Sequence, residues 1–123
     1  MTVEDRWKQI DGQLAEFVAE RDWAQFHDPK NLIMALTSEA GELAEILRWV
    51  GSGDADRAAR EPANRDRIAS EVADVAIFLL LLCERVGIDL PQAILDKIEQ
   101  NRKNHPVAET RGHASRVRPR DES

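Results

Sequence analysis

Apolar residues recur along this chain at intervals of three and four, which is the spacing of one face of an α-helix. No stretch alternates between apolar and polar positions as a half-buried strand would. Four helices account for the pattern, at about residues 3–24, 29–50, 65–86 and 90–104. We therefore predict an all-α fold, a four-helix bundle whose apolar centre is formed by the second and third helices.

Residues with strong positional preferences mark the ends of these helices. Asp28 is a suitable N-cap for the second helix, because its side chain can accept from free backbone N–H groups, and Pro29 suits the first helical position. Asn64 is the expected N-cap of the third helix, and Gly87 is its expected left-handed stop. Asp89 is expected to cap the fourth helix. The charged stretch between the second and third helices has room for one short additional helix.

Length and composition fit one compact domain. The chain has 123 residues, of which 42% are apolar and 33% are charged. We place the domain at residues 1–106 and a polar C-terminal tail at residues 107–123. The third helix is apolar on nearly all of its faces. One small chain has too few other helices to bury all of that apolar surface, so we expect a homo-oligomer.

Charge and cysteine content exclude several functional classes. A net charge of −6 argues against a nucleic-acid polymer as partner, since such a surface would be basic. Cys83 is the one cysteine, so we expect neither an internal disulfide nor a cysteine-built zinc site, and we interpret it as an inert core residue. The longest apolar run, from Val75 to Cys83, is too short to span a membrane. These features favour a cytoplasmic protein.

Two acidic pairs stand within the apolar faces of the central helices. On a helical wheel Glu39 and Glu42 fall among apolar positions of the second helix, and Glu71 and Asp74 do so on the third. The members of each pair are three residues apart, so their side chains share a face. The pattern therefore predicts four buried carboxylates between two helices.

Four uncompensated buried carboxylates would unfold a small domain. Each ionised group costs several kcal/mol when it is buried without a partner, and a whole domain has about 5–15 kcal/mol of stability. Nearby cations such as Arg67 and Lys97 are too few to neutralise all four groups. Oxygen ligands without nitrogen or sulfur favour Mg²⁺, with Mn²⁺ as the alternative. A di-iron bundle is disfavoured, because neither central helix carries the histidine of a Glu-x-x-His pair.

The spacing Glu39-x-x-Glu42, then 28 residues, then Glu71-x-x-Asp74 resembles the signature of the MazG-like all-α nucleoside triphosphate pyrophosphohydrolases. The stretches ERDWAQFHDPKNLIMALTSEAGELAEILRW and DLPQAILDKIEQNRKNHP are similar to the dCTP pyrophosphatase branch of that family. The resemblance covers about residues 7–115. It implies Mg²⁺-dependent hydrolysis of a nucleoside triphosphate to a monophosphate and diphosphate, as house-cleaning of the nucleotide pool. It also implies a homotetramer built as a dimer of dimers.

The resemblance also implies roles for individual side chains. The catalytic metal ligands would be Glu39, Glu42, Glu71 and Asp74, and one glutamate of the second helix would orient the attacking water. The phosphate-binding residues would be Lys97, Asn101 and Arg102. The base-binding residues would be Trp23, His27, Trp49 and Phe78, with the two indoles stacking on the base.

Structural alternatives exist for several of these residues. Basic residues are also favoured at a solvated helix C-terminus, which is the alternative for the end of the fourth helix. Core packing is the alternative for Trp23 and Trp49. The alternatives for His27 are that it caps the second helix or that it lies exposed. Phe26 is expected in the core, and Trp7 either in the core or at a subunit interface.

Two positions depart from the pattern of the branch. Leu14 stands where its dCTP-selective members have a histidine, and Phe78 stands where they have a tyrosine. These changes leave the predicted metal site intact but remove two polar groups from the predicted base site. We expect dCTP or a modified dCTP as substrate, with a broader range of nucleoside triphosphates as the alternative. A non-catalytic helical interaction module and a metal-storage bundle are the alternatives outside this class.

Overall fold

The computed structural model describes residues 1–112. Within these residues every regular element is helical, and this confirms the predicted all-α class. The α-helices are α1 (Val3–Glu20), α2 (Pro29–Ile46), α3 (Ala55–Arg60), α4 (Pro62–Val86), α5 (Leu90–Asn104) and α6 (Val107–Thr110). Short 3₁₀ turns form at Ala24–Phe26 and Ser52–Asp54. Most of the polar tail predicted at 107–123 lies outside the described residues, and α6 forms at its start.

Side-chain caps begin two of the long helices at the predicted places. Asp28 accepts a hydrogen bond from the backbone N–H of Asn31 at 2.9 Å, and Pro29 is the first residue of α2. Asp89 accepts from the backbone N–H of Gln92 at 3.1 Å, and α5 has its predicted bounds. Both caps satisfy backbone donors that have no partner within the helix.

The start of α4 differs from the prediction, whereas its end does not. The helix begins at Pro62, because proline suits the first helical position and its missing N–H costs nothing there. Asn64, the predicted N-cap, lies inside the helix, and its side-chain amide donates to the carbonyl of Ala58 at 3.0 Å. At the other end Gly87 adopts the predicted left-handed conformation, with φ of 73°. The predicted short helix before α4 is α3.

The ends of α1 and α2 come earlier than predicted, at Glu20 and Ile46. After α1, Asp22 takes a positive φ of 52°, which no helix residue adopts. After α2, the backbone of Leu47 is no longer helical. The N–H of Val50 donates to the carbonyl of Leu47 at 3.0 Å and so forms a turn. Ile46 and Val50 are four residues apart, so helical spacing of apolar residues continues through the turn. The sequence pattern therefore does not show that the helix ends at Ile46.

The chain divides into two compact units, and the division falls after Gly87. In the first unit α2 and α4 pack against each other more extensively than any other pair of helices in the described chain. The buried apolar side chains of residues 1–112 are Leu32, Ile46 and Cys83, and this places Cys83 in the core as predicted. This core is small for a chain of this length.

Many large apolar side chains remain exposed on the helix surfaces. Phe26 is 60% exposed, so the prediction that it lies in the core is wrong; its short 3₁₀ turn holds it at the surface. Trp7 is 50% exposed. Across the helices of residues 1–112, none has the length and hydropathy needed to cross a bilayer.

Candidate functional site

Packing of α2 against α4 brings three of the four predicted metal ligands together. Glu39 and Glu42 lie on α2, and Glu71 lies on the facing helix α4. Each of the three carboxylates offers an oxygen, and these oxygens all lie within 4.8 Å of one another. The cluster follows from the spacing of three residues on α2, which turns both glutamates toward the same neighbour.

The burial of this acidic cluster is uneven. Glu39 and Glu71 are half-buried, and the Oε2 atom of each is buried without a hydrogen-bond partner. Glu42 is exposed, so the prediction of burial is wrong for that residue. A helical wheel shows which face a residue shares, but it does not show how far the neighbouring helix covers that face.

The neighbouring carboxylates raise the pKa of Glu39. Its contact with the Glu71 carboxylate is the largest cause, and burial and the charges of Glu42 and Asp74 add to it, so that the pKa of Glu39 rises to about 7. The ion pairs found in residues 1–112 involve none of these carboxylates. The cluster therefore has no compensating charge from a side chain in the described part of the chain.

This donor set fits a divalent cation. All of the donors are carboxylate oxygens, which Mg²⁺ and Mn²⁺ prefer. The two buried oxygens on Glu39 and Glu71 lack any other partner, and such atoms are costly unless they are satisfied. Metal binding would remove both the repulsion and the unsatisfied atoms.

Asp74, the fourth predicted ligand, lies outside the group of three close oxygens. It follows Glu71 by three residues on α4 and is half-buried. Its charge still contributes to the raised pKa of Glu39. Asp74 also lines a large cavity, and it therefore connects the acidic cluster to that cavity.

The large cavity lies between α1 and α4 and has a volume of about 610 Å³. That volume is typical of small-molecule sites, and the walls are mostly apolar. Three of the four predicted base-binding residues line it, namely Trp23, His27 and Phe78. Leu14, which replaces the histidine of the dCTP-selective pattern, also lines it.

Aromatic contacts hold Trp23 at the edge of this cavity. Its indole packs edge-to-face on the ring of Phe17, with the ring centres 5.6 Å apart. The guanidinium of Arg21 lies 3.7 Å from the centre of the Phe17 ring, and it also donates to the carbonyl of Phe17 at 3.1 Å. These contacts give the indole a defined position although 43% of the residue is exposed.

The connector between α1 and α2, residues 21–28, carries both Trp23 and His27 to the cavity. Arg85 of α4 donates to the carbonyl of Ala24 at 3.2 Å. Every other side-chain hydrogen bond found in residues 1–112 joins residues close in sequence, so this bond is the one that ties the connector to a distant helix. Arg85 and His27 also line a second, smaller cavity of about 280 Å³.

Trp49 is not brought to the cavity. It is 87% exposed, and the guanidinium of Arg48 lies 4.9 Å from its ring centre. A helix continued to residue 50, as predicted, would put Trp49 on the face of Glu39 and Glu42, but α2 ends at Ile46 and Trp49 lies in the following turn.

The three predicted phosphate-binding residues lie on α5 in the second compact unit, and all three are exposed. Lys97 donates to the side-chain oxygen of Gln100 at 3.3 Å. Arg102 forms an ion pair with Glu99. Asn101 occupies the same face as Lys97, since they are four residues apart.

Gln13 is a cavity residue that sequence reasoning missed. Its amide side chain lines the large cavity on the α1 wall. The signal was present in the sequence, because Gln13 follows Ile10 by three residues and precedes Phe17 by four, and it therefore interrupts an apolar stripe.

Comparisons with known proteins show which family this chain belongs to. The MazG-like family model matches residues 34–118, and this chain belongs to the MazG-like family. The chain is 45% identical over 100 residues to dCTP pyrophosphatase 1 of Rattus norvegicus, and 45% identical over 93 residues to the protein of that name from Homo sapiens. These matches cover 81% and 76% of this chain, but they span only 59% and 55% of the relatives.

A solved structure with the same fold is also similar to this chain. A pyrophosphatase from Archaeoglobus fulgidus superimposes with a TM-score of 0.77 and 31% sequence identity. The match covers 82% of this chain and 93% of that protein. The similarity to MazG-like proteins predicted from the acidic spacing is therefore confirmed.

Proposed function

We propose that this chain hydrolyses a nucleoside triphosphate, dCTP or a modified dCTP, to the monophosphate and diphosphate, and so removes unwanted nucleotides from the cytoplasmic pool. The observation that carries the proposal is the cluster of Glu39, Glu42 and Glu71, with its unpartnered oxygens, beside a cavity of nucleoside size. The names of its relatives, dCTP pyrophosphatase 1 and a pyrophosphatase, support the same activity.

The metal ligands in this proposal are Glu39, Glu42, Glu71 and Asp74, and Mg²⁺ is the cation, with Mn²⁺ as a substitute. When bound, the cation neutralises charge on the phosphate oxygens and on the leaving diphosphate. One glutamate of α2 orients the attacking water. A carboxyl group with a pKa of about 7, such as Glu39, can hold or release a proton near neutral pH.

The cavity takes the nucleoside. Trp23 stacks on the base, and His27 and Phe78 complete the walls around it. Trp49 is proposed as a second stacking residue, on the basis of the family resemblance. Lys97, Asn101 and Arg102 are proposed to bind the phosphates on the same basis.

We further propose a homo-oligomer, a dimer of dimers. The small core and the exposed apolar side chains support it, because a chain that buries few apolar residues gains stability by covering more of them. Exposed apolar residues occur on α1, as at Trp7, and on α5, as at Ile94 and Ile98.

A substrate panel tests the activity. Purified protein with Mg²⁺ is given ribo-, deoxy- and 5-methylated nucleoside triphosphates, and released diphosphate and monophosphate are measured. The proposal expects one diphosphate per monophosphate formed, with no release in EDTA. Release of orthophosphate instead, or no release from any nucleotide, would contradict it.

Substitutions in the acidic cluster test the metal ligands. Glu42→Gln and Asp74→Asn are expected to abolish diphosphate release while helical content and melting behaviour stay near those of the wild type, since each removes one ligand charge. Glu45→Gln is the matched control, because Glu45 is an exposed glutamate of α2 outside the cluster. Wild-type turnover in both cluster variants would refute the ligand assignment.

Substitution of the two tryptophans tests the base site. Trp23→Ala is expected to raise KM by about tenfold or more and to change kcat less, because a stacked base contributes roughly 1–3 kcal/mol of binding. Trp49→Ala tests whether Trp49 stacks on the base, as the family resemblance implies, or is a surface residue without a role in binding. An unchanged KM in that variant would remove Trp49 from the base site.

A further inference from the structure

The wall of the large cavity contains one amide side chain, that of Gln13 on α1. Among the described residues that line the cavity, the other polar side chains are the carboxylate of Asp74, the imidazole of His27 and two indoles. Leu14 and Phe78 also line the cavity, and their apolar side chains offer no hydrogen bond to a base. Gln13 is therefore the side chain in this lining whose donor and acceptor lie side by side, so that both can contact neighbouring atoms of one base edge.

The position of Gln13 suits contact with a base edge. Asp74 lies on the α4 wall beside the acidic cluster, where the phosphates of a nucleotide would meet the cation. A base that extends from there into the cavity lies between α4 and α1, and Gln13 projects from the α1 wall. In the described chain no hydrogen-bond partner of the Gln13 side chain is found, so its amide is available.

We propose that Gln13 is the specificity-determining residue of this site, and that its amide hydrogen-bonds the Watson–Crick edge of a pyrimidine. Cytosine offers an acceptor at N3 and a donor at its amino group, whereas thymine and uracil offer a donor at N3 and an acceptor at O4. A half-turn of the amide exchanges its oxygen and nitrogen, so Gln13 matches either edge. This chain consequently accepts cytosine and thymine or uracil nucleotides alike. The proposal rests on the proposed hydrolase function and widens its substrate class from dCTP to pyrimidine nucleoside triphosphates.

Kinetics with dCTP and dTTP test the proposal. The wild type is expected to show kcat/KM values for the two that agree within about tenfold. Gln13→Leu is expected to lower both values by about tenfold or more, since a bidentate contact to a base contributes roughly 1–3 kcal/mol. Gln13→Glu is expected to move the ratio about tenfold toward dCTP, because a carboxylate accepts from the cytosine amino group but is repelled by the two thymine carbonyls.

Gln9→Leu and Gln9→Glu are the matched controls. Gln9 is an exposed glutamine of the same helix outside the cavity lining. The proposal is overturned if the Gln13 variants behave like the Gln9 variants, if Gln13→Glu lowers both substrates equally, or if the wild type strongly discriminates between them.

A binding measurement separates this proposal from the proposed function. Calorimetry in EDTA measures binding of deoxycytidine and thymidine monophosphate to the wild type and to Gln13→Leu, without turnover. Binding that depends on Gln13, in a protein that releases no diphosphate, would overturn the hydrolase function and support the role of Gln13. Binding equal in both proteins, or absent from both, would overturn the role of Gln13 even where diphosphate release is observed.

Discussion

A glutamate that keeps its proton near neutral pH makes the folded state sensitive to pH, and Glu39 is such a residue. Its ordinary pKa is 4.5, and the contact with Glu71 and the other effects described above raise it to about 7 in the folded chain. Between these two values the folded chain binds more protons than the unfolded chain, so stability falls as pH rises. The loss is complete above about pH 7. A bound cation reverses it, because the cation competes with the proton for the same oxygens.

Melting temperatures measured in EDTA between about pH 4.5 and 8 test this linkage. The melting temperature of the wild type minus that of Glu39→Gln is expected to fall as pH rises toward 7, and then to stay constant. Groups that titrate alike in both proteins cancel in this difference. Added Mg²⁺ should raise the melting temperature of the wild type most at the alkaline end. Curves that run parallel across the whole range would contradict the raised pKa.

At the scale of elements, the connector of residues 21–28 depends on one bond to a distant helix. Arg85→Ala removes the hydrogen bond to Ala24 and is expected to raise KM about fivefold with a smaller change in kcat, as the loss of about 1 kcal/mol would do. Arg85→Lys, which can still donate once, should restore part of the effect. Arg65→Ala is the control, since Arg65 is an exposed arginine of α4 distant from the connector in sequence. Equal KM values in all three variants would show that the connector holds itself in place.

The elements also show how far the sequence could predict this structure. Caps and stops that depend on backbone chemistry, such as Asp28, Asp89 and Gly87, fixed helix ends correctly. The ends at Glu20 and Ile46 were missed, because apolar spacing continues beyond them. The acidic spacing predicted which carboxylates converge, but the exposure of Glu42 and Trp49 depends on how far other elements cover them, which spacing does not encode.

At the scale of the whole molecule, exposed apolar faces predict self-association. Ile94 and Ile98 lie four residues apart on α5 and are 48% and 43% exposed, so they share an uncovered face. Ile94→Glu is expected to lower the molar mass measured by light scattering, or to make it depend on concentration, because a charge is costly in an apolar interface. Gln100→Glu is the control on the same helix. A wild type that is monomeric at all concentrations would refute the oligomer.

The space between α1 and α4 makes a ligand part of the hydrophobic interior. Trp7, Ile10 and Phe17 of α1 face a volume of about 610 Å³ that the protein's own side chains do not fill. A nucleoside in that space takes the place that a core residue has in other folds, so its binding energy adds to the stability of α1. Binding should then lower the heat capacity of the complex, as apolar burial does. A calorimetric screen for thermal stabilisation would therefore rank nucleotides that the chain holds, including those that it never cleaves.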